Sequence, residues 1–581
     1  STPIDLGQAS GKISILAAQV QDTEMTIVSV TDANALVLTH VTLTESFLGD
    51  EAQATTTHAA LPSTEYDISH LLLDVAQREL YVASAQGQIS YFDTSNKRQP
   101  YLLDLVNVVP NDHTLTTLDY LSGGISILVG DSSGKISQWF PVRDDNNNFT
   151  VQPVRSFTPF TSSVSTVVPE YFRKGFVAAD EQGQFALIHT TAGRILTTDR
   201  IITNSLRKLA ISPRADALLF VTGSGELEKY AVHNEHPEIS WNSIWGKVWY
   251  ESRAEPEYIW QSSSASGDFE PKFSLTPLTF GTLKAALYAM LFAIPLAIFG
   301  AIYTAYFMTP KMRNFVKPSV EVMAALPTVI LGFLAGLWLA PLIEQYLAGV
   351  ILAFLLIPFS FVFASFAVDS LPPSVRSFFR DGWEAAVLIP VVCFAIWLSL
   401  TLSQPIETMF FGGSLPFWLL ESFGISYDQR NSLVVGMAIG FAVIPTIFSI
   451  SEDAVFGVPG HLTSGSLALG ATPWQTMIGV VILTASPGIF SAVMIGLGRA
   501  VGETMIVLMA TGNTPIMDIN IFEGFRALSA NIAVEMPESE VNSTHFRVLF
   551  LAALVLFMVT FVVNTVAEIV RQRLRVKYSN L

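Results

Sequence analysis

Two periodicities divide the chain. Over residues 1–236 the apolar positions come as short β-rich runs separated by polar turns of Gly, Asp, Ser and Asn. Four runs end alike: a hydrophobic strand, a polar turn, Gly, one polar residue, then a second apolar strand. They are Leu80–Ser84 before Gly87-Gln88-Ile89, Ile125–Gly130 before Gly134-Lys135-Ile136, Gly175–Ala179 before Gly183-Gln184-Phe185, and Leu218–Thr222 before Gly225-Glu226-Leu227. The glycines stand 47, 49 and 42 residues apart. Each suits the positive-φ position of a tight hairpin, and a period of ~40–50 residues is that of a four-stranded propeller blade. Ile13–Thr39 reads as an earlier, weaker blade. The pattern predicts an all-β, propeller-like domain; a β-sandwich with coincidental turns is the alternative. Propellers close with ~4–8 blades, so a chain starting inside the pattern is expected to lack some.

Beyond Pro277 the short runs give way to seven apolar segments, each near the ~20 residues that cross ~30 Å of hydrocarbon. They lie at Thr279–Phe307, Val322–Ala340, Leu347–Val368, Ala385–Ser403, Leu433–Ile450, Met477–Met509 and Val548–Val570, the sixth with room for a bend at Pro487. Between the two patterns, residues 237–276 form a junction. There Trp241, Ile244, Trp245, Val248 and Trp249 share one face at helical spacing. Three Trp on one stripe beside a membrane domain predict an amphipathic helix at headgroup level, with docking against the β domain as the alternative. A Ser/Ala/Gly loop, Gln261–Asp268, follows.

Charge sharpens the division. Of 32 Lys and Arg, 14 lie from Pro277 onward, with 17 of the 49 Asp and Glu; residues 1–276 keep 18 bases against 32 acids. An acidic, water-soluble half thus precedes a membrane half at 277–581. Only 14% of residues are charged, against about 25% in an ordinary soluble chain. This composition excludes a typical cytosolic enzyme and offers no basic face for nucleic acid. The single cysteine, Cys393, permits no intrachain disulfide and reads as a buried, inert thiol in its apolar run. His58, His70, His113 and His189 are scattered over separate strands and loops, so neither a metal nor another cofactor is expected.

The loops carry a topology signal. Lys311, Arg313 and Lys317 follow the first span, Arg376 and Arg380 the third, and Arg571, Arg573, Arg575 and Lys577 the seventh. The alternate loops, Gln404–Asn431 and Asn513–His545, hold Arg430 and Arg526 against several acids. By alternation the loop Ser451–Gln475 and the C-terminus are cytoplasmic and the β domain is outside. An exported domain ahead of the first visible span implies a transmembrane anchor before Ser1.

Two motifs carry function. The loop Ser451–Gln475 has helical spacing at Leu462, Ser466, Leu467 and Leu469, then Gly470-Ala471-Thr472. It resembles the coupling loop of ABC importer permeases, which reads Glu-Ala-Ala, three residues, then Gly. Gly470 matches that glycine, with Ala471 beside it. Ser464-Gly465-Ser466 stand in place of Glu-Ala-Ala, and Leu483 in place of the usual proline. The second motif, Gly496-Leu497-Gly498-Arg499-Ala500-Val501-Gly502-Glu503-Thr504-Met505, lies inside the sixth span. An unpaired charge at membrane depth costs roughly 2.5–3.5 kcal/mol on insertion scales. On a continuous helix Arg499 and Glu503 are i, i+4 and neutralise each other. The pair is read either as a structural tie or as part of a conduit, which the surrounding glycines suit.

This second motif is similar to the phosphate-uptake (Pst-type) ABC transporter permease, C-type subunit. Ala325-Leu326-Pro327-Thr328-Val329-Ile330-Leu331-Gly332, Ala340-Pro341-Leu342, Gly512-Asn513 and Phe280-Gly281-Thr282-Leu283 carry the same resemblance. It covers Leu278–Ala340 and Thr446–Arg575. It implies a polytopic α-helical, MetI-like permease domain behind an all-β, WD40/propeller-like extracytoplasmic domain. It further implies a bacterial inner-membrane protein with no catalytic site of its own, its β domain periplasmic. The implied partners are a second permease subunit, two ATP-binding subunits docking on 451–475, a periplasmic phosphate-binding protein and membrane lipid. Arg499, Glu503 and Thr504 are expected on the substrate pathway, and Ser464, Gly465, Ser466, Gly470 and Ala471 at the ATPase contact. The chain departs from the family in the inserted β domain, in an extra span pair within Leu347–Ser403, and in the lost glutamate. The rival reading is a membrane-anchored sensor or scaffold whose β domain binds a protein.

Overall fold

The computed structural model describes residues 4–7, 11–44, 53–144, 146–200, 206–263, 269–370 and 384–578. Two compact units divide the chain, Ser1–Ser274 and Leu275–Leu581.

Among the described residues of the first unit, five antiparallel sheets of three or four strands follow one another along the chain, with strands in sequence order in each, and a two-stranded sheet pairs Trp260–Gln261 with Lys272–Phe273. Four are four-stranded, at 13–60, 68–107, 115–157 and 164–200; the fifth, at 206–231, has three strands. Successive residues of a strand point to opposite faces. Leu80 and Val82 accordingly pack on Val28, Val30 and Leu38 of the first sheet. Tyr81 and Ala83 pack the other way, on Ile127, Val129 and Trp139 of the third. The third sheet then packs on the fourth through Leu128, Ile136 and Phe176, and the fourth on the fifth through Val177, Phe185 and Phe220. Every inner sheet is thus buried on both faces, a serial blade-like stack rather than a two-layer sandwich.

The hairpins that the sequence marks are built alike. Gly87, Gly134, Gly183 and Gly225 have φ of +88°, +89°, +79° and +83°. Each donates its N–H to the carbonyl three residues back, on Ser84, Asp131, Asp180 and Thr222. A side-chain oxygen of that same residue accepts from the N–H just after the glycine, at 3.1, 3.1, 2.7 and 3.0 Å.

The junction differs from its expected form. Only Trp241–Trp245 is helical, with Ser240 as N-cap. Val248 instead bridges Glu257, and the Trp249 ring meets Phe140 edge-on at 5.7 Å. Arg155 donates to the Trp249 carbonyl, and Lys174 pairs with Glu251. The five-residue stripe is therefore not one helix; its later half docks on the third and fourth sheets, and residues 237–274 complete the β unit. Residues 264–268 of the expected Ser/Ala/Gly loop lie outside the described residues.

Among the described residues of the second unit, seven helical segments are long and apolar enough to cross a membrane: Thr276–Phe307, Thr328–Gln345, Leu347–Val368, Leu388–Phe423, Ser432–Phe456, Pro473–Val501 and Thr544–Arg573. The second starts later than expected because Pro310–Met323 is a separate helix with no buried residue, and Val322 belongs to it. The first and fifth spans pack most closely. Ala285, Ala289, Ala293, Ala297 and Ala301, at steps of four, are all buried in one core with Val435, Ile439, Val443 and Ile447 of the fifth span. A Cβ on Gly436 would come within 2.8 Å of the Tyr288 Cβ, so the backbones approach there as small residues permit. Cys393 is exposed on its apolar helix, not buried. Arg376 and Arg380 lie outside the described residues.

Candidate functional site

The helix that carries Arg499 runs Ile482–Val501, continuous across Pro487, and stops at Gly502. A short helix, Met505–Ala510, resumes beyond Glu503 and Thr504. The i, i+4 pairing of Arg499 with Glu503 therefore does not form, because the turn that would bring them together is unwound. Glu503 Oε1 accepts from the N–H groups of Met505 and Ile506 at 3.2 and 3.3 Å. It caps the short helix, where a carboxylate is favoured by the exposed N–H groups and the dipole. The Thr504 hydroxyl donates to the Gly502 carbonyl at 3.2 Å, within the break.

Arg499 turns instead toward the fifth span, where its Nη1 donates to Thr446 Oγ1 at 2.9 Å. Among the described residues no carboxylate pairs with it. A half-buried guanidinium in a membrane span with one hydroxyl partner keeps unused donors. Its fork geometry suits a tetrahedral or planar oxyanion.

The loop after the fifth span contains the helix Gly460–Ala468, no residue of which is buried. Ser464 and Gly465 are exposed, while Ser466 Oγ bonds Thr476 Oγ1 at 2.9 Å. Gly470 has φ +90° and open space around its Cα, and its N–H donates to the Leu467 carbonyl. Its requirement is thus the left-handed backbone that ends the helix. The Ala471 N–H then reaches the Ser466 carbonyl, and Thr472 caps Pro473–Thr476. Leu467, Leu469 and Trp474 stand exposed on this loop, Leu469 at 91%.

One cluster was not read from the sequence. The Glu452 side chain, near the end of the fifth span, is fully buried and pairs with Arg313 and with Lys317, the latter at 2.8 Å. Lys317 also pairs with Asp453, the Arg313 guanidinium stacks 3.5 Å from the Phe456 ring centre, and Ser449 donates to Glu321 at 2.8 Å. Burial alone depresses Lys317, but hydrogen bonds to Asp453 and Glu452 outweigh it and hold its pKa above the usual lysine value. The available signal was spacing: Arg313, Lys317 and Glu321 at steps of four match Ser449, Glu452, Asp453 and Phe456 on one helical face. The cluster clamps Pro310–Met323 onto the helix that leads into the 460–476 loop.

No protein-family model matches the chain. Curated relatives match over about half of it. A Bacillus subtilis protein named "Probable ABC transporter permease protein YqgH" is 24% identical over 294 residues, 51% of this chain and 70% of the relative. The "Phosphate transport system permease protein PstC" of Mesorhizobium japonicum is 28% identical over 325 residues, 54% of this chain and 81% of the relative. "PstC 1" of Mycobacterium tuberculosis is 25% identical over 299 residues, covering 51% and 71%. Among solved structures, the WD40 β-propeller domain of Doa1 aligns with 39% of this chain at a TM-score of 0.29 and 12% identity. With seven apolar helices among the described residues that follow the β-sheets in sequence, the chain is a multi-pass membrane protein similar in sequence to the PstC-type phosphate transport permeases.

Proposed function

We propose that this chain is a permease subunit of an ATP-driven importer that moves inorganic phosphate across a bacterial inner membrane. The observation that carries the reading is Arg499: an intramembrane cation held by one hydroxyl and, among the described residues, by no carboxylate. A scaffold whose spans merely anchor it has no use for such a charge, which costs free energy unless an anion meets it. Arg499 touches the phosphate in transit. Glu503 keeps the backbone break in place by capping Met505–Ala510, and Thr504 lies in that break.

The exposed helix Gly460–Ala468, with Leu467, Leu469 and Trp474, offers apolar surface for one of two ATP-binding subunits. A second permease subunit and a periplasmic phosphate-binding protein complete the assembly, and closure of the ATPases switches access to the passage by rocking the spans. The β unit lies in the periplasm, and the loop and C-terminus in the cytoplasm.

Uptake of radiolabelled phosphate by cells that depend on this gene tests the reading. Arg499→Gln abolishes uptake while the protein still accumulates in the membrane; normal uptake by this variant overturns the assignment. For orientation, cysteines at Ser132 and Leu469 in a Cys393→Ser background label from opposite faces of the membrane, and labelling of both from one face refutes it.

A further inference from the structure

The break after Arg499 takes one main-chain oxygen out of the helical ladder. In an unbroken helix the Glu503 carbonyl would accept from the Val507 N–H, four residues on. Here it accepts from the Ser529 hydroxyl at 3.0 Å. Ser529 is buried, in the first turn of the helix Leu528–Glu535. That helix is fixed at both ends. At its start the Leu528 N–H donates to Thr282 Oγ1 of the first span at 3.0 Å, and a Cβ on Gly281 would strike the Arg526 carbonyl. At its end the buried Glu535 pairs with Arg526 at 2.6 Å and with His545, at the start of the seventh span, at 2.7 Å. Ser529 therefore reaches the broken turn from a support anchored on two spans.

The turn has a second arrangement open to it. Rewound, it would join Val507 to the Glu503 carbonyl and set the Arg499 and Glu503 side chains at i, i+4, where a base and an acid pair. The Glu503 carboxylate, now engaged by the N–H groups of Met505 and Ile506, would pass to the guanidinium. A main-chain carbonyl left without a donor away from water is costly. The Ser529 hydroxyl removes that cost from the broken form, and without it rewinding is the remedy within reach.

We propose that Ser529 is a positioning residue for Arg499: its hydroxyl holds the turn broken, which keeps Glu503 off the guanidinium and leaves that cation open to an anion. Withdrawal of Ser529, as the spans that anchor its helix shift, lets the turn rewind. Glu503 then neutralises Arg499 and the anion is released. The hold on the turn rests on the geometry alone; its consequence for transport rests on the phosphate reading of Arg499.

Hydrogen exchange across residues 502–508, followed in the full chain in lipid nanodiscs, tests the hold. Ser529→Ala slows exchange there about fivefold or more, because the freed carbonyl takes up the Val507 N–H. Ser529→Thr, which keeps the hydroxyl, exchanges as the parent does. Unchanged or faster exchange in Ser529→Ala overturns the proposal, since a hydroxyl that merely fills a gap loosens the turn when it is lost. Ser529→Cys, a weaker donor, makes the same comparison if the alanine variant does not accumulate. Uptake of radiolabelled phosphate reads the consequence. Ser529→Ala raises KM about fivefold or more, as expected when the receptive form is less populated, and Ser529→Thr restores it. Slowed exchange with an unchanged KM upholds the hold on the turn and overturns the role of Arg499 toward phosphate, so the two failures are told apart.

Discussion

Glu452 and Arg499 are both charged side chains near or within spans, and they are handled in opposite ways. Glu452 is sealed from solvent and met by two cations and their hydrogen bonds. Arg499 is half-buried and met by one threonine hydroxyl. A buried charge that is fully answered stabilises an arrangement, whereas one that is partly answered retains affinity for an absent counter-charge. The contrast fits a structural role for the first, and it is what the transport role proposed for Arg499 requires of the second.

The largest effect that bears on this contrast is on stability. Glu452→Gln and Arg313→Gln each break a buried ion pair and lower stability by about 3–5 kcal/mol. Arg499→Gln, which strands no carboxylate among the described residues, shifts it by less than about 1 kcal/mol. Thermal melting in detergent reads the difference. Equal losses erase the distinction between the two sites.

A smaller effect separates two glycines of the exposed loop. Gly470→Ala forces a side chain into the left-handed region and costs about 1 kcal/mol. Gly465→Ala, inside a helix with open space around it, stabilises by a similar amount, about 0.5–1 kcal/mol. Hydrogen exchange across 460–476 reports both. If the loop supports ATPase docking, Gly470→Ala also weakens stimulation and Gly465→Ala preserves it.

A pH-dependent effect carries the comparison into the β unit, at the half-buried acid Glu270. Burial, aided by the nearby Glu251, pushes the Glu270 carboxyl up to about 7, against the hydrogen bond from Thr191. A carboxyl with a raised folded pKa holds its proton in the folded state after the unfolded chain has released it. Its contribution to stability is therefore full below the unfolded value and is lost as pH rises from about 4.5 toward 7. Melting of the β unit falls across that window, and Glu270→Gln flattens the fall; an unchanged slope in that variant refutes the assignment.

Which features were legible follows from how far apart their causes lie. The hairpin glycines and the apolar segments were visible because their determinants sit within a few residues of each other. The unwinding at Gly502–Thr504 was not, since Gly-Arg-Ala-Val-Gly-Glu-Thr-Met lies within a longer apolar run, and a carboxylate at i+4 reads as a partner rather than as a cap. The Glu452 clamp joins residues 139 apart, and its cations already had an explanation as cytoplasmic loop charges. The tryptophan stripe had helical spacing, but tertiary contacts of Val248 and Trp249 with the sheets outweighed it. The alanine ladder of the first span was hidden by its setting, because small residues in an apolar run look unremarkable until a partner helix is known.

The four hairpins of the β unit close on a serine, two aspartates and a threonine. What recurs there is an oxygen lone pair at a fixed place above a left-handed glycine, not a residue. Three side-chain chemistries serve as synonyms, so each copy can drift in letters while keeping its meaning. A repeat of this kind is faint to any measure of identity and plain to a count of acceptors.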